Sequence, residues 1–297
     1  MYDICLMLKT YAPDLPYVER LVSSFHEHNR DGLKLYVVVP EVDLPLFERF
    51  VDACVTIVCD EEIPVPYATE AEAKGQNLGF INAGVSKLGF WEMGVCLNYF
   101  SIDSDLVFIR PFSASDFLAP DRRPYVVCTE ARALQADPFY FSRYWATREL
   151  AVKSVARRLE ISDPSFSSYH TVQIMSSEIL KDFRESFLQR NGLDYRDLLI
   201  EVPWEYFWYT QYALHQTRLQ IQRREEMVKV VHHQGEHLAL RAMGISQASL
   251  ALSYVGIIVN SNWSRQYGMV SFDEAPEAEY RQVGEWARWL SAERRGS

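Results

Sequence analysis

The chain has 297 residues, 48% hydrophobic and 24% charged, the profile of a globular protein with a sizeable core. Thirty Lys and Arg against forty Asp and Glu give a net charge of −10. No basic run exceeds a pair such as Arg223–Arg224, which argues against nucleic acid as the main partner. Aromatics at 13% exclude general disorder. The five cysteines (Cys5, Cys54, Cys59, Cys96, Cys128) are odd in number and form no CxxC pair, so neither a disulfide framework nor a zinc site is expected. Met1–Leu8 carries no basic leader and no apolar stretch approaches the ~18 residues of a membrane span, so the cytoplasm is the expected location.

Taken in order, Tyr2–Leu8 reads as a buried strand, Tyr17–Asn29 as a helix, and Leu35–Val39 as a β-branched strand stopped by Pro40. Leu44–Phe50 reads as a short helix and Val55–Cys59 as a strand ending at Asp60. This rhythm predicts a parallel, doubly wound α/β sheet with helices on both faces. Ligands then bind beyond the carboxyl ends of the strands, at the loops Lys9–Asp14, Pro40–Asp43 and Asp60–Pro66. Further on, Lys74–Lys87 has a helical pattern, Leu97–Ile102, Val107–Ile109 and Tyr125–Thr129 read as strands, and 138–160 as one long helix. Strands are expected at Thr171–Met175 and Met227–Val231, and Tyr254–Val259 is an apolar run of strand length. Helices are expected at Glu178–Gln189, Trp204–Gln216 and 277–292. With no repeat or linker, the reading is one domain over 1–297. It divides into a nucleotide-binding half (1–130), an acceptor half with a helical insertion (131–235) and a C-terminal helical segment (236–297).

The sharpest motif is Asp103-Ser104-Asp105, set between two apolar runs at a strand end. Carboxylates at i and i+2 project to one side of an extended chain, so both can face one cation. Mg²⁺ and Mn²⁺ take one or two carboxylates plus substrate phosphates. The competing reading is a turn in which both Asp residues cap backbone amides. Glu205, between Trp204 and Tyr206, is the candidate general base, because partial desolvation would raise its proton affinity. Glu201 is the runner-up, and the alternative for Glu205 is a first-turn carboxylate favoured by the helix dipole. The aromatics Trp204, Tyr206, Phe207, Trp208 and Tyr209 outnumber one core face, so some are expected to stay exposed for sugar rings.

An α/β half centred on Ser101-Ile102-Asp103-Ser104-Asp105-Leu106-Val107-Phe108 resembles a glycosyltransferase of the GT-A fold with its DxD motif. Four blocks in order are also similar to a bacterial glycosyltransferase-like family of unassigned function: Gly75–Lys87, the DSD block, 169–171 and Glu201–Tyr206. The resemblance implies a mixed, doubly wound GT-A-like sheet and a nucleotide-sugar donor, with Asp103 and Asp105 holding Mn²⁺ or Mg²⁺ against its diphosphate. It implies donor contacts from Thr10 through its backbone, Tyr11 by stacking on the base, Asp60, Lys74, Gln76 and Ser104. His170, Trp204 and Tyr206 would meet a saccharide or glycolipid acceptor, and His232 or His233 would complete the metal set. The activity implied is transfer of a sugar in bacterial surface polysaccharide biosynthesis. A nucleotidyltransferase acting on sugar phosphates and a non-catalytic carbohydrate-binding protein are the alternatives, though the loop Lys9–Pro13 lacks the glycines of a phosphate loop. The C-terminal Trp286, Arg288, Trp289, Arg294 and Arg295 offer either a peripheral membrane contact or a packed helix with a solvated basic end.

Overall fold

The computed structural model describes residues 1–121, 123–129, 135–165 and 172–273. Its main sheet contains β1 (Cys5–Lys9), β2 (Leu35–Val39), β3 (Val55–Cys59), β4 (Asn98–Ile102) and, after two short strands, β7 (Gln173–Ser176). The order is β3-β2-β1-β4-β7, with the first four strands parallel and β7 antiparallel to β4. Chain order therefore reverses between β1 and β4, which makes their carboxyl ends the topological switch point.

Alternation along the strands covers both faces. Ile4, Leu6 and Leu8 pack with Phe100 and Ile102 under α1 (Leu15–His28), whereas Cys5, Met7 and Tyr99 point to the opposite core. That second core is built by α2 (Leu78–Gly89), α4 (Ser177–Phe183), α5 (Tyr195–Glu201) and α6 (Glu205–His215). The fold is thus a mixed α/β sheet with helices on both faces, as the sequence and its resemblance lead one to expect.

A second sheet, β5-β10-β9, is made of β5 (Leu106–Phe108), β10 (Gly256–Val259) and β9 (Val228–Val231). β10 runs antiparallel to β5 and parallel to β9. Gly256 permits the close approach of β5, because a Cβ there would lie 2.6 Å from Leu106 Cδ1 and 3.0 Å from the Val107 carbonyl oxygen. A small parallel pair, β6 (Tyr125–Val127) with β8 (Gln222–Arg224), completes the strands among the described residues.

Several elements differ from expectation. The long helix over 138–160 is interrupted: a turn at Pro138–Tyr140 leads through a π-helical segment, Phe141–Trp145, into α3 (Ala146–Arg158). The helix after β7 likewise becomes π-helical at Arg184–Leu188. α5 has no counterpart in the sequence reading, α7 (Gln234–Ala242) falls at the start of the segment expected to be helical, and the expected helix 277–292 lies outside the described residues. No helix among the described residues is long and apolar enough to cross a membrane.

Candidate functional site

At the switch point the Asp103-Ser104-Asp105 turn leaves β4 and enters β5, so its two carboxylates sit between the two sheets. Ser104 is buried and its hydroxyl donates to Asp14 Oδ2 at 3.0 Å, tying the turn to the loop after β1 and not to the crevice. Asp14 Oδ1 pairs with Arg265 Nη2 at 2.5 Å. Arg265 lies 5.5 Å from the centre of the Tyr17 ring. Hydrogen bonds that it donates to the Tyr11 and Asp14 side chains hold this guanidinium above its ordinary pKa.

The two motif carboxylates have different surroundings. Asp103 Oδ1 accepts from Lys87 Nζ at 2.8 Å, and the same ammonium donates to Glu205 Oε1 at 2.9 Å. Asp105 Oδ2 accepts the backbone amide of Ser261 at 2.8 Å, at the start of a short helical turn that follows β10. Burial and the nearby Asp103 charge push the Asp105 pKa up to about 6, and the Ser261 amide offsets only part of this. A cavity of about 20 Å³ borders Asp105 beside Tyr17, Arg20 and Val270, room for one water and far too little for a nucleotide.

Lys87 is one turn beyond Gly84 on α2, and a Cβ on Gly84 would meet Leu199 Cδ1 at 3.0 Å and Glu205 Cβ at 3.6 Å. This close helix packing carries the buried Glu205 to Lys87. Burial alone would lower the Lys87 pKa; Asp103 and Glu205 more than offset it and raise the value above that of an ordinary lysine. Glu205 is 4% exposed and ion-paired. The burial of this carboxylate is as anticipated, and the Lys87 ammonium already occupies its Oε1. Its neighbours are also more buried than expected. Every residue from Glu205 to Ala213 is buried, which removes Tyr206, Phe207, Trp208 and Tyr209 from the list of sugar platforms. The Tyr206 hydroxyl accepts from Arg148 Nη1 at 3.3 Å, Trp208 Nε1 donates to the Val202 carbonyl, and the Tyr209 hydroxyl accepts the Ser176 amide. Trp204 alone of this group is half-buried.

The other expected donor residues are dispersed in role. The Thr10 amide is used by the sheet, donating to the Val38 carbonyl at 3.0 Å, and its carbonyl accepts from Lys9 Nζ at 3.1 Å. Its buried hydroxyl, by contrast, has no hydrogen-bond partner. Tyr11 is 44% exposed. Asp60 accepts from Lys9 Nζ at 2.7 Å through Oδ2 and from the Ser86 hydroxyl at 2.9 Å through Oδ1. Lys74 is exposed with a left-handed backbone, φ 50°, and the exposed Gln76 donates to the Ile200 carbonyl at the end of α5. His170 lies outside the described residues.

The histidine ligands expected after β9 are engaged elsewhere. His233 caps α7, its Nδ1 accepting the Glu236 amide at 3.2 Å, while Nε2 pairs with Asp137 Oδ2 at 2.8 Å. With both ring nitrogens in use, His233 offers no lone pair to a metal. The His232 ring packs 5.2 Å from the Tyr140 ring, and its backbone amide donates to Glu236. Among the described residues no three His, Cys, Asp or Glu side chains gather around a metal position. The donor set that remains, two carboxylates without enough positive charge, suits a hard divalent cation sharing its shell with phosphates.

The profile of a family described as "Family of unknown function (DUF6492)" matches residues 3–248. The chain belongs to this family. No curated protein matches the sequence. In structure, this DUF6492 chain is similar to the glycosyltransferase GlyE of Streptococcus pneumoniae TIGR4, with 11% identity and a TM-score of 0.50, over 99% of this chain and 64% of that one. Against GlyE, then, it spans a little under two thirds of the length. Mouse xyloside xylosyltransferase 1, apo form, matches at 11% identity and a TM-score of 0.45, over 88% of this chain and 98% of that one. The fold of this DUF6492 member is thus like that of GlyE.

Lys87, Asp14, Ser261 and Arg265 were not legible as site residues. Lys87 did carry a signal, being the single charge between Gly75 and Trp91 in an otherwise uncharged amphipathic run. The other three reach the motif only through tertiary contacts.

Proposed function

We propose that this protein transfers a sugar from a nucleotide-activated donor to a saccharide or glycolipid acceptor, in the biosynthesis of a bacterial surface polysaccharide. The observation that carries this reading is the Asp103/Asp105 pair at the switch point of a glycosyltransferase-like sheet, with burial and mutual repulsion holding Asp105 at a pKa of about 6. A divalent cation bound between the two would relieve that repulsion. Asp103 and Asp105 would hold Mg²⁺ or Mn²⁺, which as a Lewis acid neutralises charge on the departing diphosphate. The residues around them bind and orient the donor. Tyr11, exposed on the loop after β1, is available to stack on the base, and the unpartnered Thr10 hydroxyl is available to a donor oxygen. Trp204, half-buried and adjoining Glu205, would meet the acceptor.

Isothermal titration with UDP and GDP, each in Mn²⁺ and then in EDTA, tests the reading. One of the two nucleotides is expected to bind in Mn²⁺ and to lose at least tenfold in affinity with EDTA. Equal affinity with and without metal removes the metal from the reading.

A further inference from the structure

We propose that Lys87 is the resident counter-ion of the carboxylate pair, a positioning residue that occupies Asp103 in the metal-free protein and withdraws onto Glu205 when a divalent cation takes its place. The inference rests on the reading of Asp103 and Asp105 as metal ligands. It follows from an asymmetry in the three-residue bridge. The Lys87 ammonium touches two carboxylates at nearly equal distance, 2.8 Å to Asp103 and 2.9 Å to Glu205. The Glu205 side chain is 5% exposed and the Asp103 side chain 29%. One partner is therefore interior and fixed, and the other opens toward the crevice where a ligand arrives.

Lys87 itself is firmly held. The Tyr99 hydroxyl donates to its backbone carbonyl at 2.5 Å, and the ammonium is kept charged by the two acids it bridges. A buried ammonium left without a partner is strongly destabilising, so a lysine that must give up Asp103 needs a second acid. Glu205 supplies one. Charge balance points the same way: Asp103, Asp105 and Glu205 carry three negative charges when ionised, and Lys87 returns one. The remaining two match a single divalent ion. A structural ion pair between α2 and α6 would require only Lys87 and Glu205, and would leave Asp103 unexplained.

The consequence is that Lys87 competes with the metal, and Glu205 tunes that competition by drawing the ammonium away. Mn²⁺ alone, without nucleotide, is titrated into the parent, Lys87→Met, Glu205→Gln and the double variant, with free Mn²⁺ read by electron paramagnetic resonance. Lys87→Met is expected to bind Mn²⁺ on the order of tenfold more tightly, since Asp103 is released from a charge-assisted hydrogen bond. Glu205→Gln is expected to bind it more weakly, because Lys87 then has Asp103 as its one acidic partner. The double variant leaves no orphaned buried charge, so it should melt cooperatively and keep the tighter binding even if Lys87→Met fails to fold. A merely structural role would weaken Mn²⁺ binding in both single variants. Shifts in the same direction, or none, in folded variants whose Mn²⁺ binding still depends on Asp105 overturn the counter-ion role alone. Mn²⁺ binding that is indifferent to Asp105→Asn overturns the metal reading, and this inference with it.

Discussion

The end of β4, with Asp103 and Asp105, and the end of β9, with His232 and His233, both carry side chains of the kind that ligate metals. At β9 the chemistry is closed: His233 spends one nitrogen on the cap of α7 and the other on Asp137, whose own carboxyl that contact holds below the usual range despite burial. At β4 it is open, with one ammonium serving two acids and Asp105 resisting ionisation. The difference teaches that residue type and spacing locate a candidate site, while the accounting of each polar atom decides whether it has capacity for a ligand. Metal-binding potential belongs to groups whose charge the fold leaves unanswered.

The comparison is broken most severely by Asp105→Asn, which keeps shape and removes charge. Sugar transfer is expected to fall roughly 10²- to 10⁴-fold. The melting temperature of the ligand-free protein should hold or rise, since a repelling carboxylate is gone. A large drop in melting temperature would instead mark the turn as a structural cap.

A smaller effect follows from pH. The folded pKa of Asp105, about 6, stands above its unfolded value, so its contribution to stability is fully present below pH ~4 and is lost as pH rises through 6. A shift of about two units corresponds to about 3 kcal/mol at most. Thermal melts of the metal-free parent and of Asp105→Asn from pH 4.5 to 7.5 should therefore diverge, the variant gaining on the parent as pH increases. Parallel curves would show that Asp105 ionises freely and that the two strand ends differ less than their contacts suggest.

The smallest effect sharpens the other side. His233→Ala removes a helix cap and the partner of Asp137, and should cost about 1–2 kcal/mol in chemical denaturation. It should leave Mn²⁺-dependent nucleotide affinity where it was. A loss of that affinity greater than the loss of stability explains would return His233 to the metal set.

Most of the β-α-β core was readable because its signals are local. Leu35–Val39 and Val55–Cys59 are β-branched runs between turn residues, and both strands form at the expected residues. The DSD turn was readable as a strand end for the same reason. What escaped depends on partners distant in sequence. The Glu205 helix looked overloaded with aromatics because its burial on every side is set by α2, α3 and α4. Lys87 had no role in the sequence reading, because the close packing at Gly84 that brings Glu205 beside it is a tertiary contact. His233 looked like a ligand because its two partners, the Glu236 amide of α7 and the Asp137 carboxylate 96 residues away, are set by the fold.

Gly256 extends this dependence on distant partners to the motif itself. Asp103 follows a strand of the main sheet and Asp105 precedes a strand of the second, so the gap between their carboxylates is a joint between two slabs. Within the second sheet β10 lies close against β5, where a Cβ on residue 256 would sit 2.6 Å from Leu106 Cδ1 and 3.0 Å from the Val107 carbonyl oxygen. A methyl group there would displace Leu106, the residue next to Asp105, and leave Asp103 with its own sheet. A change on another strand can thus reach the residue beside Asp105 with both carboxylates and every charge left in place.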